Sequence, residues 1–139
     1  MKSKLLIGFL IVQAFLLIGY FVVSKSMAAK STNPKIVFEE LTHDFGKVAQ
    51  GTVLEHSYKF KNEGSGKLIV SSIRASCGCT GAVLDGKKEF EENETGEIKV
   101  TLNTQGREGI QVKTVFVTSN DSTQMDVVLT FKCEIYKNQ

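Results

Sequence analysis

Hydrophobic and polar residues alternate with a period of two over much of the chain after residue 35, which is the pattern of half-buried β-strands. In residues 53–62, His56, Tyr58 and Phe60 alternate with charged and polar residues. In residues 125–136, every second residue from Met125 to Ile135 is apolar, so these residues are predicted to form the inward face of the last strand. The same pattern, interrupted by turns rich in glycine or in Asn, Asp and Ser, predicts further strands in residues 35–40, 67–73, 97–103 and 112–120.

An all-β fold follows, because no window after the N-terminal segment shows the apolar period of 3.6 residues that an amphipathic helix requires. Short strands at this spacing predict an Ig-like β-sandwich of about seven strands, with a small barrel as the alternative. We expect one core built from the inward positions of these strands: Val37, Tyr58, Phe60, Leu68, Val70, Ile98, Val100, Leu102, Val115, Val117, Val127, Leu129 and Phe131.

The N-terminus differs from the rest of the chain. Two lysines precede residues 5–23, which contain no charged residue. Such a segment is typical of an export signal or of a hydrophobic membrane helix, and its length is close to the roughly 20 residues that span a bilayer. Ser26 and Ala28 supply the small residues that a signal peptidase needs for cleavage after Ala28. The length favours a retained single-pass anchor over a cleaved signal peptide.

The chain therefore divides into three parts. Residues 1–28 are the predicted signal peptide or anchor, residues 29–35 form a polar linker, and residues 36–137 form the β-sandwich domain. With either fate of the N-terminus the domain is exported, to the periplasm or to the extracytoplasmic face of the membrane.

Charge excludes one class of partner. The full chain has 17 basic and 15 acidic residues, and without the first 28 residues it has 14 basic against 15 acidic ones. A nearly neutral domain without a basic stripe is not expected to bind nucleic acid. Contact with the membrane is expected through the N-terminal segment.

Three segments of the domain resemble a known bacterial family. They are HDFGKVAQGT, then HSYKFKNEGSGKLIVSSIRASCGCT, then TGEIKVTLNTQGREGIQVKTVFVTSND. In this order they resemble the family catalogued as domain of unknown function 1573, over about Phe38 to Ile135. The Cys-Gly-Cys-Thr placement is its most specific element. Where the family often has Pro-Gly before the Glu-Ile strand, this sequence has Glu94-Thr95-Gly96. The resemblance implies an Ig-like fold akin to Hydin-type and major-sperm-protein-like domains, and it implies no biochemical activity.

Cys77 and Cys79 are the leading candidates for chemistry. On an extended strand their Cα atoms would lie about 6.6 Å apart, at the edge of what a disulfide tolerates, and Gly78 between them lets the backbone fold more tightly. In an oxidising compartment we predict a disulfide between them. A staple of the motif loop, which also contains Thr80 and Gly81, is favoured over a redox-active pair because no thioredoxin-type context accompanies the cysteines. The redox alternative stays open.

The remaining metal-ligating and nucleophilic side chains are spread along the chain. Cys133, His43 and His56 do not complete a four-ligand zinc set with the cysteine pair, and they predict no catalytic constellation, metal site or cofactor. We expect His43 to lie in a turn and bond to Asp44, and His56 to be partly buried beside Tyr58. Cys133 is predicted to be buried and free.

These observations favour a non-enzymatic binding or scaffold domain of the cell envelope. Its expected partner is another envelope protein, and the sequence indicates no small-molecule substrate. The alternative is a thiol-redox or metal-handling protein that uses Cys77 and Cys79.

Overall fold

The computed structural model describes residues 32–137, and this part of the chain is all-β, as the periodicity predicts. It has nine strands where the sequence predicts about seven. Within the described residues no helix is long and apolar enough to cross a membrane. The hydrophobic helix predicted at residues 1–28 lies outside the described residues. The strands are β1 (Ile36–Phe38), β2 (Thr42–Ala49), β3 (Val53–Asn62), β4 (Leu68–Ala75), β5 (Thr80–Leu84), β6 (Glu89–Phe90), β7 (Thr95–Asn103), β8 (Gly109–Ser119) and β9 (Asp126–Tyr136).

The strands form two sheets. The first sheet has the order β1-β3-β7-β5, and the second has the order β2-β9-β8-β4-β6. Neighbouring strands are antiparallel, except that β2 runs parallel to β9. Buried residues from both sheets form one hydrophobic cluster. The architecture is therefore a sandwich with its core between the sheets.

The predicted core is confirmed at every position but one. Val37 is only half-buried, and Ile36 is the buried residue of β1. Three consecutive apolar residues make up this strand, so alternation cannot fix its phase. A hydrogen bond determines which residues of β1 face inward: the Ile36 amide donates to the buried Asp121 carboxylate at 3.0 Å.

The inward face predicted for the last strand is also confirmed, except at its first residue. The buried positions begin at Val127, and Met125 is 61% exposed. The Ser119 amide donates to the Met125 carbonyl at 2.9 Å, which closes the turn between β8 and β9. Met125 therefore belongs to this turn and lies before the strand begins.

Strands β2, β5 and β6 are not among the strands predicted from the sequence. In β2 the alternation is broken by a register shift between Asp44 and Lys47. Gly46 has a φ of 69° there, and its amide donates to Asp44 Oδ1 at 2.9 Å. A bulge of this kind interrupts the period of two while the strand continues.

Tyr58 joins the two sheets through its hydroxyl group. Its ring is fully buried in β3, and its hydroxyl donates to the Thr130 carbonyl of β9 at 2.7 Å. Burial, reinforced by the negative charge of Glu40, raises the pKa of Tyr58 to about 12. The hydroxyl therefore stays protonated and keeps donating at any physiological pH.

Asp121 is a buried carboxylate with four hydrogen bonds. Its Oδ2 accepts from the Ile36 amide, and its Oδ1 accepts from the Thr123 amide, the Thr123 hydroxyl and the Gln124 amide at 2.7–3.2 Å. Burial alone would raise the pKa of Asp121, but these hydrogen bonds, led by those from Thr123, outweigh burial and hold the pKa below its usual value. The ionised carboxylate therefore ties β1 to the turn that precedes β9.

We expect Asp121 to make the domain acid-sensitive. A lowered pKa in the folded state means that the stabilisation is present above the unfolded pKa of about 3.9 and is lost as the pH falls through the folded value. Asp121→Asn should lower the free energy of unfolding by about 1–3 kcal/mol at pH 7. On further acidification, the free energy of unfolding of this variant should fall less than that of the wild type. Urea unfolding between pH 7 and pH 3 measures both effects. Asp85→Asn, at an exposed position, is the control, and equal acid profiles for all three proteins would contradict the assignment.

Candidate functional site

The cysteine motif lies in the turn between β4 and β5. Cys77 and Cys79 are joined by a disulfide, with Cα atoms 5.3 Å apart, closer than on an extended strand. The Thr80 amide donates to the Cys77 carbonyl at 3.3 Å, which closes the turn. Both cysteines are half-buried, and Cys79 packs against the core.

Thr80 links the disulfide to the sheet. Its side chain is buried, and its hydroxyl lies 3.4 Å from Cys77 Sγ and 3.8 Å from Cys79 Sγ. Since disulfide sulfur has no proton, the hydroxyl must be the donor in these weak contacts. The threonine of the motif therefore has a defined place beside both sulfur atoms.

The two glycines of the motif have different roles. A Cβ atom at Gly78 would meet no atom within 4 Å, and its φ lies outside the left-handed region, so the closed turn does not require glycine there. A Cβ atom at Gly81 would lie 2.4 Å from Thr101 Oγ1 on the adjacent strand β7. Glycine is therefore needed for close packing at Gly81.

Cys133 lies away from this turn, in the core face of β9. It is buried and free, as predicted. Burial raises the pKa of the Cys133 thiol, which keeps it protonated and poorly nucleophilic.

The state of the three cysteines in the native protein is a prediction that intact mass can test. After denaturation without reductant, alkylation should modify one cysteine, and after reduction it should modify three. Cys133→Ser should remove the single modification and leave the reducible pair. Alkylation of all three cysteines without reductant would contradict a disulfide between Cys77 and Cys79.

Strand β5 follows the disulfide turn directly and forms one edge of the first sheet. The Asp85 amide donates to the Glu97 carbonyl at 3.1 Å. Because backbone groups alternate in direction along an antiparallel ladder, the amides and carbonyls of Val83 and Gly81 then point toward β7. The amides and carbonyls of Ala82 and Leu84 face away from the sheet. They have no pairing strand among the described residues.

The four sheet edges differ in how well they are protected. Edges β1 and β6 have only three and two residues, and edge β2 carries a bulge and charged side chains. Strand β5, with the sequence TGAVL, has five residues and no charge. Short length, bulges and charge are the usual means of blocking strand addition, and β5 has neither a bulge nor a charge.

A second cluster brings together side chains that the sequence leaves apart. His43 lies in β2, not in the predicted turn, and its ring stacks on that of His56 with centroids 3.6 Å apart. The partial burial of His56 beside Tyr58 is confirmed. Glu40 completes the cluster and bonds His56 at 2.7 Å. The sequence predicts Glu40 as the last residue of the first strand, but β1 ends at Phe38 and Glu40 lies in the connection between β1 and β2.

Comparison with known proteins gives the family. The family described as "Protein of unknown function (DUF1573)" matches residues 36–135, and these residues include the disulfide turn, β5 and the histidine cluster. The chain belongs to this family. The resemblance carried by the Cys-Gly-Cys-Thr motif is thereby confirmed. No curated protein sequence matches this DUF1573 chain.

Solved structures support an Ig-like fold of the PapD type. The chain is similar to a protein of unknown function from Porphyromonas gingivalis W83, with a TM-score of 0.68 and 16% identity over 78% of this chain and 50% of that one. It is also similar to the PapD-like domain 7 of human CEP192, with a TM-score of 0.58 and 13% identity over 81% of this chain and 93% of that one.

A third similar structure is the VesB protease of Vibrio cholerae, with a TM-score of 0.60 and 9% identity over 80% of this chain. The chain spans half the length of the Porphyromonas protein and 34% of VesB. At these identities the three likenesses establish the fold of the DUF1573 domain, an all-β sandwich, and nothing further.

Proposed function

We propose that this DUF1573 domain is a non-enzymatic binding module of the cell envelope, exported or tethered by its N-terminal segment. In this proposal it binds an extended segment of another envelope protein by adding that segment to β5. The observation that carries the proposal is the uncharged edge of β5, whose outward amides and carbonyls at Ala82 and Leu84 match what strand addition requires.

The disulfide turn supports this use of β5. The Cys77–Cys79 ring and the Thr80 amide fix the chain immediately before the strand, so its edge is ordered before a partner arrives. An ordered edge loses less conformational entropy on binding than a flexible one. In this proposal the cysteine motif prepares a binding edge and has no catalytic part.

Val83 provides a test of the edge. Its side chain is 59% exposed on β5, and Val112, 56% exposed on the interior strand β8, is a matched control. A photo-cross-linking residue at position 83 of the full chain in cells should form an adduct with one envelope protein. The same residue at position 112 should not. Val83→Lys should abolish co-purification of that protein, and Val112→Lys should preserve it.

Equal cross-linking at both positions, or no adduct at position 83, would overturn the strand-addition proposal. Recovery of the full chain from a soluble cytoplasmic fraction with Met1 intact would contradict export. Hydrogen exchange adds a direct readout, because the amides of Ala82 and Leu84 should slow when the partner binds.

A thiol-redox function is the second proposal, favoured by the half-exposed position of the disulfide at a turn. In that function a partner dithiol would attack the disulfide as a thiolate and pass two electrons to it. Cys77 and Cys79 would become thiols, and the partner would become a disulfide. A Cys77→Ser/Cys79→Ser variant that keeps its binding partner but loses exchange with a dithiol would favour this function over the binding module.

A further inference from the structure

We propose that Glu40, His43 and His56 form a binding site for a divalent transition-metal ion of the Zn²⁺ type. One ligand atom from each of the three side chains lies within 4.8 Å of the other two. Two imidazoles and one carboxylate are a donor set that suits zinc. This site departs from the expectation of no metal, which treats the histidines as scattered.

The fold brings the three ligands together from separate elements. His43 lies on β2, the edge of the second sheet, and His56 lies on β3 in the first sheet. Glu40 Oε1 lies 2.7 Å from His56 Nε2 and 3.9 Å from His43 Nδ1. One carboxylate oxygen therefore already faces both rings, at the border between the two sheets.

Aromatic neighbours pack against both imidazole rings and limit their movement. The His43 ring meets Phe45 edge-on at 4.7 Å, and the His56 ring meets Tyr58 edge-on at 4.8 Å. The side chains of His43 and His56 are 29% and 18% exposed, so the pair is shielded while solvent still reaches it. Ligands held by packed neighbours lose little conformational entropy when an ion binds.

The stacked arrangement places both imidazoles within reach of one ion. The two rings are 12° from parallel, with their centroids 3.6 Å apart. An imidazole binds a metal in its neutral form, so an ion would take the place of any proton on the two ligand nitrogens.

Ion binding requires a small rearrangement of these side chains. A tetrahedral zinc ion places its ligand atoms about 3–3.5 Å from one another. The contact between His56 and Glu40 must lengthen, and the stacked rings must rotate until their nitrogen lone pairs converge. Three protein ligands leave one position for water, so the site would be an open one. A bound ion would also connect the β2 edge of one sheet to β3 of the other.

The test is a zinc titration of the full-length chain, prepared without a polyhistidine tag and first stripped with a chelator. Isothermal titration calorimetry should show one Zn²⁺ bound per chain. His43→Gln, His56→Gln and Glu40→Gln should each weaken binding at least tenfold. Glu55→Gln is the matched control, since Glu55 is an exposed glutamate that adjoins His56 in sequence, and it should bind like the wild type.

A second variant separates this site from the cysteines. Cys77→Ser/Cys79→Ser should bind Zn²⁺ as tightly as the wild type. Loss of binding in this variant, equal binding by the three ligand variants and the wild type, or no saturable binding at all would each overturn the proposal. Circular dichroism checks that each variant is folded. In the wild type, the imidazole NMR signals of His43 and His56 should shift in step with the zinc titration.

Discussion

Replacing Asn62 with alanine should lower the free energy of unfolding by about 3–5 kcal/mol, because the side chain is fully buried and makes five hydrogen bonds to backbone groups. The two hydrogens of its Nδ2 reach the carbonyls of Gly66, Phe90 and Glu91 at 2.7–3.2 Å, one hydrogen being shared between two carbonyls. Its Oδ1 accepts from the amides of Lys35 and Gly64. Alanine would leave these groups buried with fewer partners.

Two further variants make the Asn62 prediction specific. Asn62→Asp keeps an acceptor for the two amides but turns a carboxylate oxygen toward three carbonyls, so it should destabilise at least as much as alanine. Asn103→Ala is the control, since Asn103 is exposed and its side chain accepts one hydrogen bond, from Gln105. Chemical denaturation measures the free energy of unfolding of all three variants. A loss below about 1 kcal/mol for Asn62→Ala would show that water replaces the missing bonds.

Phe131→Ala should destabilise the domain by about 3–5 kcal/mol through the cavity that it leaves. Phe131 is fully buried in β9, and Phe45 of the neighbouring β2 meets its ring edge-on at 5.9 Å. The truncation therefore removes contacts within the core and weakens the packing of β2 against β9.

Phe116→Ala is the matched control for this truncation. Phe116 is only partly buried on β8, where the Arg74 guanidinium lies 5.4 Å from its ring centroid. Phe116→Ala should lower the free energy of unfolding by about 1 kcal/mol or less, since an exposed cation–π contact is weak. Equal losses for the two truncations would contradict the assignment of Phe131 to the centre of the core. Appreciable helical circular dichroism from the β domain would contradict the fold itself.

Periodicity predicts the long strands well because each has one face in the core. In β3, β7 and β9 nearly every second residue is buried and apolar, so the pattern identifies the strand and its inward face together. The predictions that Val37 and Met125 face the core are wrong for a shared reason. At the end of a strand, alternation carries no information on where pairing stops or which phase a short edge strand takes. The hydrogen bond that the Ile36 amide donates to Asp121, and the one that closes the β8–β9 turn, decide these points.

The candidate sites could be predicted only where they are local in sequence. Cys77 and Cys79 are two positions apart, so their proximity follows from chain geometry. The cluster of Glu40, His43 and His56 depends on β2, whose bulge hides the strand pattern. The edge character of β5 depends on strand order, which short-range alternation does not determine. Both features arise from long-range pairing, and a single sequence gives no direct signal of it.

The parallel pairing of β2 with β9 has a consequence for how the domain folds. Among the described strands, β2 pairs only with β9, and the Ile36–Asp121 bond similarly joins positions 85 residues apart. Contacts of such long sequence separation form slowly, because loop-closure entropy must be lost before they can stabilise anything. Under the export proposed above, the domain therefore cannot complete this sandwich until β9 has crossed the membrane. Until β9 is available, the inner faces of the earlier strands are exposed to chaperones and proteases.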